Sequence, residues 1–291
     1  MKATDLILDR FPSLSPQLQV AARFVVDHPN EVVIGSMRTL AERAQAQPAT
    51  FVRLAQQLGY AGWAELKSAF AADMGLHAEG YGQRARSLAS RGPKRELLGE
   101  MFDVLHRNLD DTLAHAAPVL PQVAALLQEA ATVHVSGFRA SSPVAYALFY
   151  GYRLFRASVQ LIDGQHGGLE MQMRAIAPGD ALVVVSFAPY SHEALAVAAA
   201  GRAAGARVVA ITDSSASPLA LQADQTVTFA VESPSFFPSV AAGVAVVEAL
   251  LELLVAAGGD GTARDIDRTE QGLFDSGAYL RHPARRVPPK G

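Results

Sequence analysis

The sequence predicts a protein of the α and α/β class, in which an all-helical N-terminal domain is joined to a three-layer αβα domain with a five-stranded parallel sheet. Up to about residue 75, apolar residues recur only at helical spacing, whereas from residue 130 onward short apolar runs alternate with helical stretches. The length of 291 residues suits two domains of ~150 residues each. With 50% hydrophobic and 18% charged residues, the chain can fill both cores.

Composition excludes several classes of protein. The chain has no cysteine, which excludes a disulfide scaffold, a thiolate metal site and a cysteine nucleophile, and no metal or cofactor motif is present. Asp5 and Asp9 interrupt the N-terminal apolar stretch, and Glu248 and Glu252 interrupt the apolar segment 243–259. We therefore expect a cytoplasmic protein with no secretory leader and no membrane span, and a buried amphipathic helix at 243–259.

Helix boundaries in the N-terminal domain, residues 1–77, are marked by caps and prolines. Ser-Pro and Ser caps precede apolar stripes, and Gly59 is a left-handed terminator. The predicted helices run from Ser15-Pro16 to the break at His28-Pro29, over 37–44 after Ser36, from Pro48 to Gly59, and over 63–74.

Residues 39–59 have the pattern of a helix-turn-helix. Leu40 and Ala44 of the first helix would pack against Phe51, Leu54 and Leu58 of the second. The opposite face would then point outward with Thr, Arg and Gln side chains, which suit base edges and phosphates, while Val52 suits a thymine methyl. The predicted DNA-contacting residues are Arg38, Thr39, Gln47, Ala49, Thr50, Val52, Arg53, Gln56 and Gln57.

A generic three-helix bundle shows the same periodicity and stays an alternative. The net charge of −3 for the whole chain and the seven basic and seven acidic side chains in residues 1–75 give no basic excess. DNA affinity would therefore depend on a one-sided arrangement of charge and on a homodimer or homotetramer, which multiplies the phosphate contacts.

Residues 78–106 form a predicted linker that leads into a helix at about 95–116. Glycines and Pro93 interrupt a polar run that contains several basic side chains. These side chains fit a solvated helix face or contacts with phosphate, and the pattern does not choose between the two. They are Arg84, Arg86, Arg91, Lys94 and Arg95.

Residues 107–258 are predicted to form the αβα domain. Short strands that are almost continuously apolar and separated by helices are typical of a parallel sheet covered on both faces. The predicted strands are 132–136, 158–162, 181–187, 207–212 and 226–230, and the helices are 142–155, 167–176, 191–204, 217–222 and 238–257. Residues 259–291 lack a strong pattern and are expected to be a loosely packed tail.

Three strand ends carry small polar residues and helix caps, at 136–143, 186–193 and 212–218. Ligands of open parallel sheets lie at the carboxyl ends of strands, where helix N-termini favour phosphate or carboxylate. The predicted ligand contacts are Ser136, Arg139, Ser141, Ser142, Ser186, Tyr190, Ser191 and His192.

Several of these polar residues have two possible roles. Ser142 and Ser191 would also cap the helices that follow them, Ser217 is expected to be a cap, and Arg139 would be either an anion clamp or half of a surface ion pair. Four residues would act as acid/base groups or lie in polar loops: His166, Glu170, His192 and Glu193.

The sequence resembles the RpiR/MurR family of bacterial transcriptional regulators, which join a helix-turn-helix domain to a sugar isomerase (SIS) domain. In the first region the matching positions are Ala49-Thr50, Arg53, Leu58-Gly59, Trp63 and Glu65-Leu66-Lys67. In the second region they are Gly137 to Ser142, Ser186 to Ser191 and Ala210 to Asp213, so the resemblance covers most of residues 1–257.

The resemblance implies that Pro48–Leu58 is a recognition helix and that the SIS domain binds a phosphorylated sugar that changes operator affinity, without enzymatic turnover. It also implies ligand contacts at Ser141 or Ser142 and at Ser186 and Ser191. Residues 186–191 depart from the family's Ser-x-Ser-Gly-x-Thr loop, and Arg139 replaces a small residue. A different anionic or smaller metabolite is therefore the alternative ligand, and a sugar-phosphate isomerase with a helical oligomerisation domain is the alternative function.

Overall fold

A computed structural model of the chain describes residues 3–73, 80–93 and 95–280. The helices of the N-terminal region are α1 (Ala3–Arg10), α2 (Pro16–Asp27), α3 (Pro29–Ile34), α4 (Met37–Arg43), α5 (Pro48–Gln57) and α6 (Trp63–Asp73). The elements that follow are α7 (Tyr81–Arg91), α8 (Glu96–Ala116), α9 (Leu120–Glu129), β1 (Val133–Gly137), α10 (Ser142–Arg153), β2 (Val159–Ile162), α11 (Leu169–Arg174), β3 (Ala181–Val185), α12 (His192–Ala203), β4 (Arg207–Thr212), β5 (Gln225–Thr228) and α13 (Ala241–Asp275).

Helix α5 lies at the centre of the N-terminal unit and packs against α2, α4 and α6. Phe51 and Leu54 are fully buried, and the Phe51 ring meets the Trp63 ring edge to face at 5.1 Å between centroids. The prediction that Thr50 faces outward is wrong, because packing on three sides widens the buried face and leaves Thr50 5% exposed. The α1 helix, which the sequence did not predict, adds the buried residue Ile7 to the same core.

The turn between α4 and α5 is short and well defined. The Ser36 hydroxyl accepts a hydrogen bond from the Thr39 backbone N–H at 3.2 Å, so the predicted cap of α4 is confirmed. Gln45 has φ +51°, a left-handed conformation that reverses the chain after α4. Pro48 then begins α5 at its first position, as expected for a residue that needs no N–H partner there.

The five-stranded parallel sheet is confirmed, with strand order β2-β1-β3-β4-β5. All five residues of both β1 and β3 are buried, because helices cover both faces. One face packs against α9, α10 and α13, and the other packs against α11 and α12. Since β1 leads outward to β2 on one side and β3 continues on the other, the order reverses between β1 and β3, which is where doubly wound sheets bind ligands.

Helix α13 extends into the predicted tail, but among the described residues after Gly259 none is buried, so the tail is helical up to Asp275 and yet loosely packed, as expected. The helix continues to Asp275 through a break at Gly259, which has φ +56° and ψ −147°. Before the break its apolar residues Val246, Val247 and Leu250 are buried against the sheet. By length and composition α13 is the kind of helix that could cross a membrane, but its apolar half is a core helix here. Residues 281–291 of the predicted tail lie outside the described residues.

The predicted linker is mostly helical, because α7 and the start of α8 occupy it. The helix expected at about 95–116 is confirmed as α8. Arg84 of α7 donates to the Ser233 carbonyl at 2.6 Å, and Arg91 forms an ion pair with Glu100 at 2.5 Å. Two of the basic side chains are therefore engaged within the chain. Lys94 and the boundary between 77 and 78 lie outside the described residues.

A buried hydrogen bond between His134 and Asp180 joins the amino ends of β1 and β3. His134 Nε2 donates to Asp180 Oδ2 at 3.0 Å, and the Asp180 carboxylate also accepts the backbone N–H groups of Thr132 and Ala177. Burial alone would raise the pKa of Asp180, but the hydrogen bonds from Ala177, His134 and Thr132 outweigh it and hold that pKa below its ordinary value. The carboxylate therefore contributes to folding as an anion.

We predict that Asp180→Asn lowers the free energy of unfolding by about 3 kcal/mol, because it leaves buried donors facing a neutral amide. A depressed carboxyl pKa gives stability that is present above the unfolded pKa and lost as pH falls through the folded value. Urea unfolding should therefore show less loss of stability on acidification below about pH 4 for the variant than for the native chain.

The control for this prediction is Glu129→Gln, which removes a carboxylate from an exposed pair with Arg207 at 3.6 Å near the same edge of the sheet. That change should cost under about 1 kcal/mol. Equal losses for the two variants, or identical acid dependence in Asp180→Asn and the native chain, would contradict the role of Asp180.

Candidate DNA-binding surface and candidate ligand site

The exposed face of α5 carries most of the predicted DNA contacts. Ala49, Arg53, Gln56 and Gln57 are exposed, as predicted from the spacing of the apolar residues. Arg53 has no ion pair among the residues that the structure describes, and its Nε donates only a long hydrogen bond of 3.4 Å to the Ala49 carbonyl. A guanidinium held this loosely is available to a phosphate or a guanine edge.

The other predicted contacts flank that face. Arg38, Thr39 and Gln47 are exposed, and Val52 is half-buried against the core. The Arg38 guanidinium lies 3.6 Å from Glu42 Oε1, an exposed pair that costs little to break. The Thr39 hydroxyl is within 2.8 Å of the Ser36 hydroxyl. Thr50 is buried, so it does not belong to the predicted DNA-contacting surface.

The loop after β1 passes close to its own strand. A Cβ atom on Gly137 would lie 2.7 Å from the Ala145 Cβ and 2.9 Å from the Ser141 carbonyl oxygen, so only glycine allows this approach. Helix α10 begins at Ser142, which is exposed, and the buried Ser141 holds the N-cap position without a side-chain cap bond. The prediction that Ser142 caps α10 is therefore wrong by one residue.

The loop after β3 leaves the same edge of the sheet, since Gly137 and Val185 are register partners. Ser186 is 2% exposed, and among the described residues its hydroxyl has no hydrogen-bond partner. Ser191 caps α12 by accepting the Ala194 N–H at 3.2 Å, as predicted. Two loops with serine hydroxyls and two helix N-termini thus lie side by side, an arrangement suited to an anion.

Asp213 holds the β3 loop from the end of β4. Its carboxylate accepts the Tyr190 hydroxyl at 2.8 Å and the Ala188 N–H at 3.2 Å. Burial, the Asp213 charge and the hydrogen bond to Asp213 raise the pKa of Tyr190 far above its ordinary value, so the phenol stays a neutral donor.

Arg139 is half of an ion pair, one of its two predicted alternatives. Its Nη2 lies 2.6 Å from Glu193 Oε1, so the pair bridges the loop after β1 and the first turn of α12. Hydrogen bonds from its own backbone N–H and from Arg139 lower the pKa of Glu193. Arg139 has φ +53°, and its side chain is 74% exposed. A ligand anion would compete with Glu193 for this guanidinium.

Two further predictions at this edge have clear outcomes. Ser136 is fully buried and its hydroxyl donates to the Ile162 carbonyl at 3.0 Å, so the predicted ligand contact by Ser136 is wrong. Ser217 is a cap, as expected, and its hydroxyl accepts the Ala220 N–H at 3.0 Å. His166 is exposed between β2 and α11, which agrees with the polar-loop alternative. Glu170 and His192 are also exposed, but they lie in the first turns of α11 and α12 rather than in loops.

A cleft of about 510 Å³, here called the α8 cleft, lies at the carboxyl ends of β4 and β5. It is bounded by the C-terminal part of α8, the loop after β4 and the residues that follow β5. Its lining consists of Asp111, Thr112, His115, Asp213, Ser214, Ser215, Thr228, Phe229 and Ala230.

The sequence reasoning missed Asp213, Asp111 and His115. Asp213 was detectable, because it follows a strand whose carboxyl end lies at the ligand edge. Asp111 and His115 belong to α8, about a hundred residues away in sequence, and no local pattern brings them to β5. Within the described ranges, no group of three or more His, Asp and Glu side chains is arranged to hold a metal ion.

Comparison with known families matches both regions of the chain. The helix-turn-helix domain of the rpiR family matches residues 5–75, and the SIS domain matches residues 126–255. The HTH-type transcriptional regulator HexR of Pseudomonas aeruginosa is 26% identical over 216 residues, which cover 74% of this chain and 74% of that protein.

Two solved structures share the fold. The sugar isomerase domain of an RpiR transcription factor from Sphaerobacter thermophilus has a TM-score of 0.58 at 23% identity, and covers 61% of this chain and 99% of its own. The Vibrio vulnificus NanR protein complexed with ManNAc-6P has a TM-score of 0.55 at 21% identity, and covers 93% of this chain and 98% of its own. At these identities the likeness concerns the fold alone.

We predict that Tyr190→Phe lowers the free energy of unfolding by about 2 kcal/mol, because it removes a donor from the Asp213 carboxylate. Chemical denaturation of the full chain measures the effect. Tyr146→Phe is the control, since Tyr146 is exposed on α10 and should change stability by less than about 0.5 kcal/mol. Indistinguishable stabilities for the two variants would show that the Tyr190–Asp213 bond does not hold the loop.

Proposed function

We propose that this chain, a member of the RpiR family of transcriptional regulators, binds operator DNA through α5 and senses a small anionic metabolite at the β1–β3 edge of its sheet. Its family membership rests on the RpiR-family helix-turn-helix domain, which is joined to a SIS domain. The observation that carries the DNA proposal is the exposed polar face of α5, where the Arg53 guanidinium has no ion pair among the described residues. The domains proposed are 1–77 for DNA and 107–258 for the ligand.

The proposed effector is a sugar phosphate or another small anion. Its support is the pair of serine-bearing loops after β1 and β3, where α10 and α12 begin and where the Ser186 hydroxyl has no hydrogen-bond partner within the described ranges. The related NanR structure contains ManNAc-6P, which makes a phosphorylated ligand a reasonable first choice. Asp213 and Glu193 add negative charge nearby, and this favours a smaller or less charged anion than the family pattern implies.

Communication between the two sites would pass along α8. Asn108 and Thr112 of this helix are tied to the backbone after β5, and the chain continues from its N-terminal end through α7 towards the helix-turn-helix. A ligand changes operator affinity only if it binds one arrangement of the chain better than the other. We propose that the effector does so by shifting the sheet edge relative to α8, and that the protein acts by binding alone.

We also propose a homodimer or homotetramer. Duplex operators read by helix-turn-helix proteins have two half-sites, and two chains double the phosphate contacts of a unit without basic excess. An exposed apolar stripe on α8 supports self-association, since Leu98, Phe102, Leu109 and Leu113 recur at helical spacing on the surface.

We predict that Arg53→Ala weakens binding to the DNA upstream of the protein's own gene by about 5-fold to 150-fold, because one base contact of arginine contributes about 1–3 kcal/mol. Fluorescence anisotropy over a range of salt concentrations measures the affinity and the slope of its logarithm against that of salt. The slope should fall by about one counterion per lost phosphate contact.

Arg43→Ala is the matched control, since it removes the same charge from the same unit but its guanidinium is paired with Glu31 rather than exposed on α5. The control should keep its affinity within about twofold. An Arg53→Ala protein that binds as tightly as the control would exclude α5 as the recognition helix.

We predict that Ser186→Ala abolishes the effect of ligand on DNA affinity and leaves ligand-free DNA affinity unchanged. A thermal-shift screen of sugar phosphates and small carboxylic acids would supply the ligand. Ser136→Ala is the control, because its hydroxyl already donates to Ile162 and should not touch the ligand. Loss of the response in both variants, or in neither, would contradict the proposed site.

A further inference from the structure

The α8 cleft is a second recess at the carboxyl edge of the sheet, and it does not include the serine loops proposed for the anion. Its walls come from α8, from the loop after β4 and from the residues after β5. We propose that the α8 cleft binds a hydroxylated amine, such as an unphosphorylated amino sugar, and that this ligand acts on α8 directly. This inference goes beyond the proposed anion sensor and does not require it.

The charges of the lining select the class of ligand. Asp111 and Asp213 both line the cleft, and among the described lining residues there is neither lysine nor arginine. One of the two ring nitrogens of His115 is already engaged, because its Nδ1 lies 2.7 Å from the Asp111 carbonyl oxygen. A phosphate would meet two negative charges without a counter-ion, whereas an ammonium group would gain charge-assisted hydrogen bonds.

The remaining lining suits hydroxyl groups. Ser214, Ser215 and Thr228 supply side-chain hydroxyls that donate or accept. The Asp213 carboxylate accepts from Tyr190, Ala188 and Thr212, which leaves one of its about four lone-pair sites for a ligand. The volume of about 510 Å³ lies within the range of about 300–1,000 Å³ that is usual for small-molecule sites. A single sugar ring fits that space with its first shell of water.

A ligand in the cleft would contact α8 directly, next to the hydrogen bonds that hold this helix to the residues after β5. The Thr112 hydroxyl accepts the Ala230 N–H at 2.9 Å, and the buried Asn108 amide donates to the Glu232 carbonyl at 2.8 Å. Asp111 and His115, on the same part of α8, line the cleft together with Thr112. A ligand that bridges Asp111 and Asp213 would therefore hold the end of α8 against the end of β4.

The test is isothermal titration of the full chain with D-glucosamine, D-glucose and inorganic phosphate. Glucosamine and glucose differ in having an ammonium group or a hydroxyl on the second carbon, so the pair isolates the charge. We expect glucosamine to bind about tenfold more tightly than glucose, since charge-assisted hydrogen bonds are about twice as strong as neutral ones. The affinity for phosphate should not change when residues of the cleft are substituted.

The matched variants are Asp111→Asn and Asp110→Asn, which make the same change at neighbouring exposed positions of α8, of which only Asp111 lines the cleft. Asp111→Asn should remove the preference for glucosamine, and Asp110→Asn should keep it. The proposal is overturned if glucosamine does not bind, if it binds no better than glucose, or if the two variants behave alike. DNA affinity without ligand should be normal in both, so failure here is separable from failure of the DNA-binding proposal.

Discussion

The buried amide of Asn108 constrains how the two functional regions of the chain are joined. A polar group that is 2% exposed is costly without a partner, and Asn108 finds one in the Glu232 carbonyl only when the chain after β5 lies against α8. The hydroxyl of Thr112 and the guanidinium of Arg84 repeat the arrangement on either side, with the backbone at Ala230 and Ser233. The helices that lead to the DNA-binding unit are thereby held to the ligand edge of the sheet by directional bonds.

The proposed ligand edge, at the carboxyl ends of β1 and β3, is built from parallel strands whose ends need polar partners. The loops after β1 and β3 lie side by side because Gly137 and Val185 are in register, and Asp213 from the next strand holds the second loop through Tyr190. Arg139 lies at the serine loops in an ion pair with Glu193, whereas the α8 cleft is lined by Asp111 and Asp213. On the two proposals made above, one edge of the sheet would therefore bind an anionic ligand and a cationic ligand at different positions.

Much of this arrangement could be predicted from sequence, and the rest depends on tertiary contacts. Apolar runs between helical stretches predicted the five parallel strands, and Pro48 with the apolar stripe predicted α5. Thr50 is buried in a helix that packs against α2, α4 and α6, and α2 comes from another part of the chain, so no local pattern could reveal the full width of the buried face. Gly258 and Gly259 have the composition of a helix end, yet α13 resumes beyond them. The contacts of Asp213 and Asn108 join residues far apart in sequence and follow only from the packed structure.

Hydrogen–deuterium exchange of the full chain, with and without the duplex DNA upstream of its gene, tests the central claim that the N-terminal helices read DNA while the sheet edge does not. The account predicts that DNA slows exchange in peptides covering α4 and α5, where the backbone comes to lie beneath the duplex. Peptides covering β1, β3 and their loops should keep their exchange rates, or show a change no larger than that of peptides covering α8. Protection confined to the αβα region, with none in α5, would contradict the assignment of α5 as the recognition helix.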